Sequence, residues 1–165
     1  MDIVKRKLSE LKLDSDNARL HNARNMSAIK ESLLAFSQYA PIVVQESTGV
    51  IIAGNGTYQA AKDLGWDEIE CVAVDVDDDT LKMMSIVDNR TGELSNWDNT
   101  SLLKVLTTLD ELKLKKAGFK TDEVEKMMES MDTEGEVDKV FDKIKKPKNY
   151  HCPRCGKNFT VVGNG

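Results

Sequence analysis

The 165-residue sequence is poor in the features that mark stapled, membrane-embedded or strongly nucleic-acid-coated chains. It has three cysteines, two of them in Cys152-Pro153-Arg154-Cys155, too few for a disulfide framework and suited to a reducing compartment. No apolar run approaches the roughly 20 residues that cross a bilayer. The charged stretch from Met1 to Leu13 is unlike a signal sequence, so a soluble, cytoplasmic protein without membrane partners is expected. Nor is there an excess of positive charge: the net charge of −5 argues against a surface coated for DNA. Glycine-rich nucleotide signatures are missing as well, with no Gly-Lys-Ser/Thr P-loop and no GxGxxG.

What is present suffices for one ordinary core and a small appendage, at 40% hydrophobic and 31% charged residues. The charge is uneven. Residues 120–142 hold nine acids against three lysines, whereas Lys143, Lys145, Lys146, Lys148, Arg154 and Lys157 follow with no acid among them. Such a basic run reads either as a solvated linker or as a non-specific contact to nucleic-acid phosphates.

The chain is organised around residues 49–65. A short β-branched strand runs into Gly54-Asn55-Gly56, followed by a two-turn helix expected to start near Thr57 and to stop at Gly65 in a left-handed C-cap. Two glycines allow a sharp turn and close approach of another molecule, and the helix start offers unpaired N–H groups to an anion. The turn is therefore a candidate phosphate site, with a ligand-free strand-to-helix turn as the plain alternative.

Before it, Leu11-Lys12-Leu13 suggests a first strand, and Asp14 to His21 is a turn-rich segment carrying Arg19 and His21. A helix begins at Asn25 or Ser27 with Ile29, Leu33 and Phe36 as its buried face. Pro41 to Glu46 is a buried strand, Ser47-Thr48-Gly49 a hairpin turn, and Val50 to Ala53 its partner. After the turn, Ala60, Ala61 and Leu64 pack inward, and Glu68 to Val74 forms another strand with Cys71 as a buried structural residue. Asp75, Asp77, Asp78 and Asp79 read as caps for a helix starting near Thr80 rather than as a metal cluster. That helix carries Leu81, Met84 and Val87 on one face and ends at Asp88-Asn89-Arg90, a set able to hold a phosphate, bridge to DNA or form a fixed ion pair. Two amphipathic helices separated by a long polar break complete the pattern: one with Leu102, Val105, Leu106 and Leu109, one from Thr121 or Asp122 with Val124, Met127, Met128 and Met131.

Taken in order, Asn17-Ala18-Arg19 with His21, Ser32-Leu33, Pro41-Ile42-Val43-Val44, Ile51-Ile52-Ala53-Gly54 with Ala60-Ala61 and Leu64-Gly65, then Asp88-Asn89-Arg90 with Trp97-Asp98, resemble the ParB/sulfiredoxin-like domain. The version they resemble is that of phage proteins and of neighbours of DNA methyltransferases. The resemblance implies an α+β fold, a small mixed sheet with packed helices, in residues 1–98, followed by a helical extension over 99–131, a charged linker over 132–149 and a tail over 150–165. It implies a phosphate- or nucleotide-binding set of Arg19, His21, Gly54, Asn55, Gly56, Thr57, Asp88, Asn89 and Arg90, taking a nucleoside triphosphate with Mg, and a DNA partner in a bacterial or phage-infected cell. Partition proteins of this type place Glu-Arg-Arg after the turn glycine, whereas Asn55-Gly56-Thr57 stands there in this chain. The sulfiredoxin cysteine is absent from the turn, which argues against sulfinic-acid reduction.

Tyr150 to Phe159 resembles the first knuckle of a zinc ribbon, which implies Cys152 and Cys155 as two of the four ligands of a zinc ion; no further Cys or His follows Cys155, and a degenerate knuckle without zinc is the plain alternative. The function expected is a phage- or plasmid-type DNA-associated protein, accessory to partition or DNA modification. Two alternatives stay open. One is a phosphoryl-transfer enzyme such as a nucleotide hydrolase, nuclease or small-molecule kinase, with Asp88 or His21 positioning a water or metal. The other is an interaction module, a homodimer or a complex with another protein, that uses the methionine face.

Overall fold

The structure, a computed structural model, describes residues 2–130, 148–151 and 158–161. Two compact units are built, one from Met1–Trp97 with Leu112–Phe119, the other from Asp98–Glu111 with the chain from Lys120 onward.

The first unit is an α+β fold around a four-stranded mixed sheet. Its strands are β1 (Ile3–Lys7), β2 (Ile42–Gln45), β3 (Ile51–Ala53) and β4 (Glu68–Val74), in the order β1-β4-β2-β3. β4 runs antiparallel to β1 and parallel to β2, and β2 runs antiparallel to β3. Successive side chains of a strand point to opposite faces, and the apolar residues use both. Ile42, Val44, Ile51, Ile69 and Cys71 join Leu33, Tyr58, Ala60 and Ala61 in one core layer, which carries α1 (Ala23–Phe36) and α2 (Asn55–Asp63). Ile52 and Val74 face the other way onto Leu81 of α3 (Asp78–Leu94).

Several boundaries differ from those expected. The first strand is Ile3–Lys7, not Leu11 to Leu13, because Leu8–Glu10 forms a 3-10 turn, Leu11 is buried, and Lys12 makes only an isolated parallel bridge to Val50 before the Asp14 turn opens. α1 starts at Ala23, one turn early, since Asn22 caps it by accepting from the Asn25 N–H. Phe36, expected in the core, is exposed at the last residue of that helix. α2 begins at Asn55 rather than near Thr57, and its end is as expected: Gly65 has φ +77 and the Trp66 N–H reaches back to the Ala61 carbonyl. In α3, Leu81 is buried but Val87 is exposed, and buried Ser85 takes the inward position. The helix runs on to Leu94, so Asp88, Asn89 and Arg90 lie inside it and not at its end.

β4 extends beyond the start of β2, and Gln38 fills the gap. Its amide donates to the Glu70 carbonyl and accepts from the Glu70 N–H, both at 2.7 Å, imitating the missing strand. Cys71 is fully buried and its thiol accordingly pushed up, with the charge of Arg6 pulling partly back, as befits an inert core residue.

In the second unit α4 (Asn99–Leu106) and α6 (Thr121–Ser130) bury Leu103, Leu106, Val124 and Met128. Leu103 replaces the expected Val105, which is exposed. The long polar break is itself partly helical and from Leu112 to Phe119 belongs to the first unit: α5 (Glu111–Lys116) ends in a Gly118 cap with φ +83, where the Phe119 N–H bonds the Leu114 carbonyl. Charge alternation had hidden it, with Leu112 and Leu114 the only apolar residues of its six. β5 (Lys148–His151) and β6 (Asn158–Val161) pair antiparallel. The zinc candidates Cys152 and Cys155 and the methionine-face residue Met131 lie outside the described residues. No described helix is long and apolar enough to cross a membrane.

The acidic caps carry a pH signature. Asp77 accepts from the Thr80 N–H, and that bond holds its carboxyl below the ordinary 3.8. Asp98, at the start of α4, is lowered first by the Ser101 hydroxyl and then by the Ser101 N–H. The folded state favours the charged carboxylates, so their contribution is present above 3.8 and is lost as pH falls through the lowered native values. Asparagine caps comparably but does not titrate. Melts of Asp77→Asn and Asp98→Asn should therefore lose less stability between about pH 5 and pH 3 than the parent does.

Candidate functional site

The turn between β3 and α2 is where the first unit gathers polar residues. β3 ends at Ala53, and Gly54, at φ +95, redirects the chain so that α2 starts at Asn55, with the Tyr58 N–H bonded to the Gly54 carbonyl. A Cβ on Gly54 would lie 2.5 Å from Ile42 Cγ2. The N–H groups of Asn55, Gly56 and Thr57 occupy the first turn of α2, where a helix offers no carbonyl of its own, and the helix dipole adds partial positive charge there.

Three other segments close around this turn. The loop before α1 is folded by Asn17, whose side chain accepts from the Arg19 N–H at 3.1 Å. It delivers His21 onto the backbone of Gly56, where a Cβ would meet the ring at 2.7 Å. The ring is fixed by its Nδ1, which is 2.6 Å from Asn25 Oδ1. α1 contributes Ile29, and α3 contributes Asp88 and Asn89. The result is a cleft of about 190 Å³ lined by Arg19, His21, Gly54, Asn55, Gly56, Thr57, Asp88 and Asn89, together with Asn17, Ile29, Ile52 and Ala53.

Eight of the nine residues picked from sequence thus share one cleft, although they span more than seventy positions of chain. Arg90 lines the adjoining cavity instead, with Arg19 and Asn89 common to both. Asn17, Asn25 and Ile29 were not singled out. Asn17 stood in the Asn-Ala-Arg triplet, but nothing in the sequence marks Asn25 or Ile29 as facing the turn.

The electrostatics are restrained. Arg19 bonds Glu93 at 2.5 Å and Arg90 bonds the other oxygen of the same carboxylate at 3.4 Å, so both arginines are held on α3 by one acid. Asp88 adds a second negative charge at the cleft. Asn55 is buried at 8% exposure, its Nδ2 makes a long 3.4 Å bond to the Ile51 carbonyl, and its Oδ1 has no partner. A buried polar atom left unpaired is costly and rare. Among the described residues no group of three or more His, Cys, Asp or Glu converges as a metal site.

No family model matches the chain. Over 74 residues, 45% of the chain and 84% of the relative, it is 34% identical to the ParB-like nuclease domain-containing protein YnaK of Escherichia coli strain K12. Among solved structures it is similar to the C-terminally truncated chromosome-partitioning protein ParB from Caulobacter crescentus complexed with CTP-gamma-S, at a TM-score of 0.69 and 16% identity, covering 84% of this chain and 83% of that one. Sulfiredoxin from Arabidopsis thaliana aligns at a TM-score of 0.45 and 22% identity, over 51% of this chain and 97% of that one.

Proposed function

The chain belongs to the ParB-like nuclease domain family, and from that premise we propose that it is a DNA-associated protein whose Gly54–Thr57 turn takes a phosphate group, of a nucleotide or of DNA. One observation carries this reading. The loop before α1, α1 and α3 converge with the strand-to-helix turn on the N-terminus of α2, lining one cleft with Arg19, His21 and the first-turn residues of that helix. The three N–H groups of the first turn and the Thr57 hydroxyl hold the phosphate oxygens, the His21 ring lies on the turn backbone, and Arg19 supplies charge from the rim. A protein of similar fold has been crystallised with CTP-gamma-S, which supports a nucleotide as one such ligand. The lysines of residues 143–157 add non-specific affinity for DNA. We extend the proposal to an accessory role in partition or DNA modification, which the family membership supports.

The test is thermal stability with CTP, ATP and GTP, each with and without Mg²⁺, and with DNA. A ligand that binds only the folded state stabilises it by about 2.7 kcal/mol at a hundredfold excess over Kd. Arg19→Ala removes an exposed ion pair and should change stability by less than about 1 kcal/mol, while shrinking the ligand-induced rise in Tm. If no phosphate-bearing compound stabilises the parent at millimolar concentration, the reading fails.

A further inference from the structure

The phosphate cleft does not stand alone. A second, larger cavity of about 460 Å³ adjoins it, and Ile29 and Thr57 line both. Its walls come from the α1 face around Ala28 to Phe36, from the segment Gln38 to Ala40, and from the end of α5 at Lys116 to Gly118. Phe36 and Tyr39 stand at this cavity with 60% and 78% of their surface exposed, an unusual position for two large rings in a chain with 5% aromatics. One lobe is thus polar and built from helix N–H groups, and the other is apolar and aromatic. A ligand that fills both joins a phosphate to a flat ring.

Charge decides which such ligand fits. Arg19 lines the polar lobe but is already bound by Glu93, and Asp88 lines the same cleft. A triphosphate brings several negative charges into a small volume and needs a surplus of cations, whereas a nucleic-acid backbone brings one charge per nucleotide. The turn N–H groups and the helix dipole suffice for one. Lys116 lines the apolar lobe and adds one positive charge there.

We propose that the two lobes together take one nucleotide of an unpaired nucleic-acid strand, with its backbone phosphate at the Gly54–Thr57 turn and its base in the apolar lobe against Phe36 and Tyr39. The inference rests on the phosphate reading of the turn and adds the ligand class. A duplex keeps its bases stacked and paired, out of reach of such a lobe, while an unpaired strand can turn a base onto an aromatic platform whatever its identity.

The experiment is fluorescence anisotropy on the full chain with labelled unpaired oligonucleotides of about twelve nucleotides, DNA and RNA of one sequence, against a hairpin duplex and against competing CTP and ATP. The double variant Phe36→Ala/Tyr39→Ala is the deciding arm, because it leaves the basic tail untouched and removes only exposed rings, so the Tm stays near that of the parent. The unpaired strand is expected to bind more tightly than the duplex and to lose about tenfold or more in the double variant. DNA and RNA bound alike place recognition in base and phosphate, and RNA bound more tightly places it also in the 2′-hydroxyl; either supports the proposal. A duplex bound as tightly as the strand overturns it, as does a triphosphate bound more tightly or an undiminished affinity of the double variant. If a phosphate ligand loses affinity in Arg19→Ala but not in the double variant, the ligand class is wrong and the phosphate site stands. If nothing phosphate-bearing binds, both fall.

Discussion

Gly54→Ala is expected to destabilise the first unit by about 2–5 kcal/mol, from two terms that act together. At φ +95 an L-residue pays backbone strain, and the new methyl would sit 2.5 Å from Ile42 Cγ2 and 2.9 Å from Ile42 Cβ. Ile42 is 2% exposed and cannot move aside. Urea denaturation of the single variant, of Ile42→Ala and of the double variant checks the assignment. The terms predict coupling, because Ile42→Ala alone costs about 2–5 kcal/mol but removes Cγ2, the nearest atom to the new methyl, when Gly54→Ala is present, so that the double variant is more stable than the sum of the singles implies. Additive losses would mean that the two side chains do not meet.

Gly56→Ala, two residues on, should behave in the opposite way: stability nearly unchanged and phosphate affinity lower by about tenfold to a hundredfold, the loss of one hydrogen bond to a charged group. Its backbone is ordinary helix, where alanine gains about 1 kcal/mol over glycine. The atoms its Cβ would meet are His21 Cε1 at 2.7 Å and Ile29 Cδ1 at 2.9 Å, the ends of half-buried side chains rather than backbone. They can swing out, and His21 then leaves the turn and its bond to Asn25. Isothermal titration with the best phosphate ligand beside a thermal melt separates the cases. A stable variant that binds as the parent does would show that His21 has no part in the site.

The contrast between these glycines marks the limit of reading a turn from its letters. Gly-Asn-Gly announced a sharp bend at a strand end, and the bend is there. The sequence did not say that the first glycine is held by the β2 core and the second by a histidine thirty-five residues earlier. The helices show a similar division. Asp77 and Asp98 act as caps within three residues of their own position, so the starts of α3 and α4 lie close to where their letters put them. Which apolar residue of a helix turns inward is a different matter. Val87, Val105 and Phe36 fit an amphipathic face by spacing yet are exposed, because the sheet or partner helix covers only part of that face.

By itself the sequence determined the order of the elements from α1 to α4, the place of the turn, the left-handed cap at Gly65 and the set of polar residues worth watching, all properties of neighbours along the chain or of alternation with a fixed period. Tertiary structure decided the rest. It brought Arg19, His21 and Asp88 to the same α2 terminus, tied Arg19 and Arg90 to one glutamate, left Asn55 Oδ1 unpaired, and set an aromatic cavity beside the cleft at that terminus. Each of these depends on distances between segments far apart in sequence, which arise only when burial of the two apolar faces of the sheet forces α1, α2 and α3 into place.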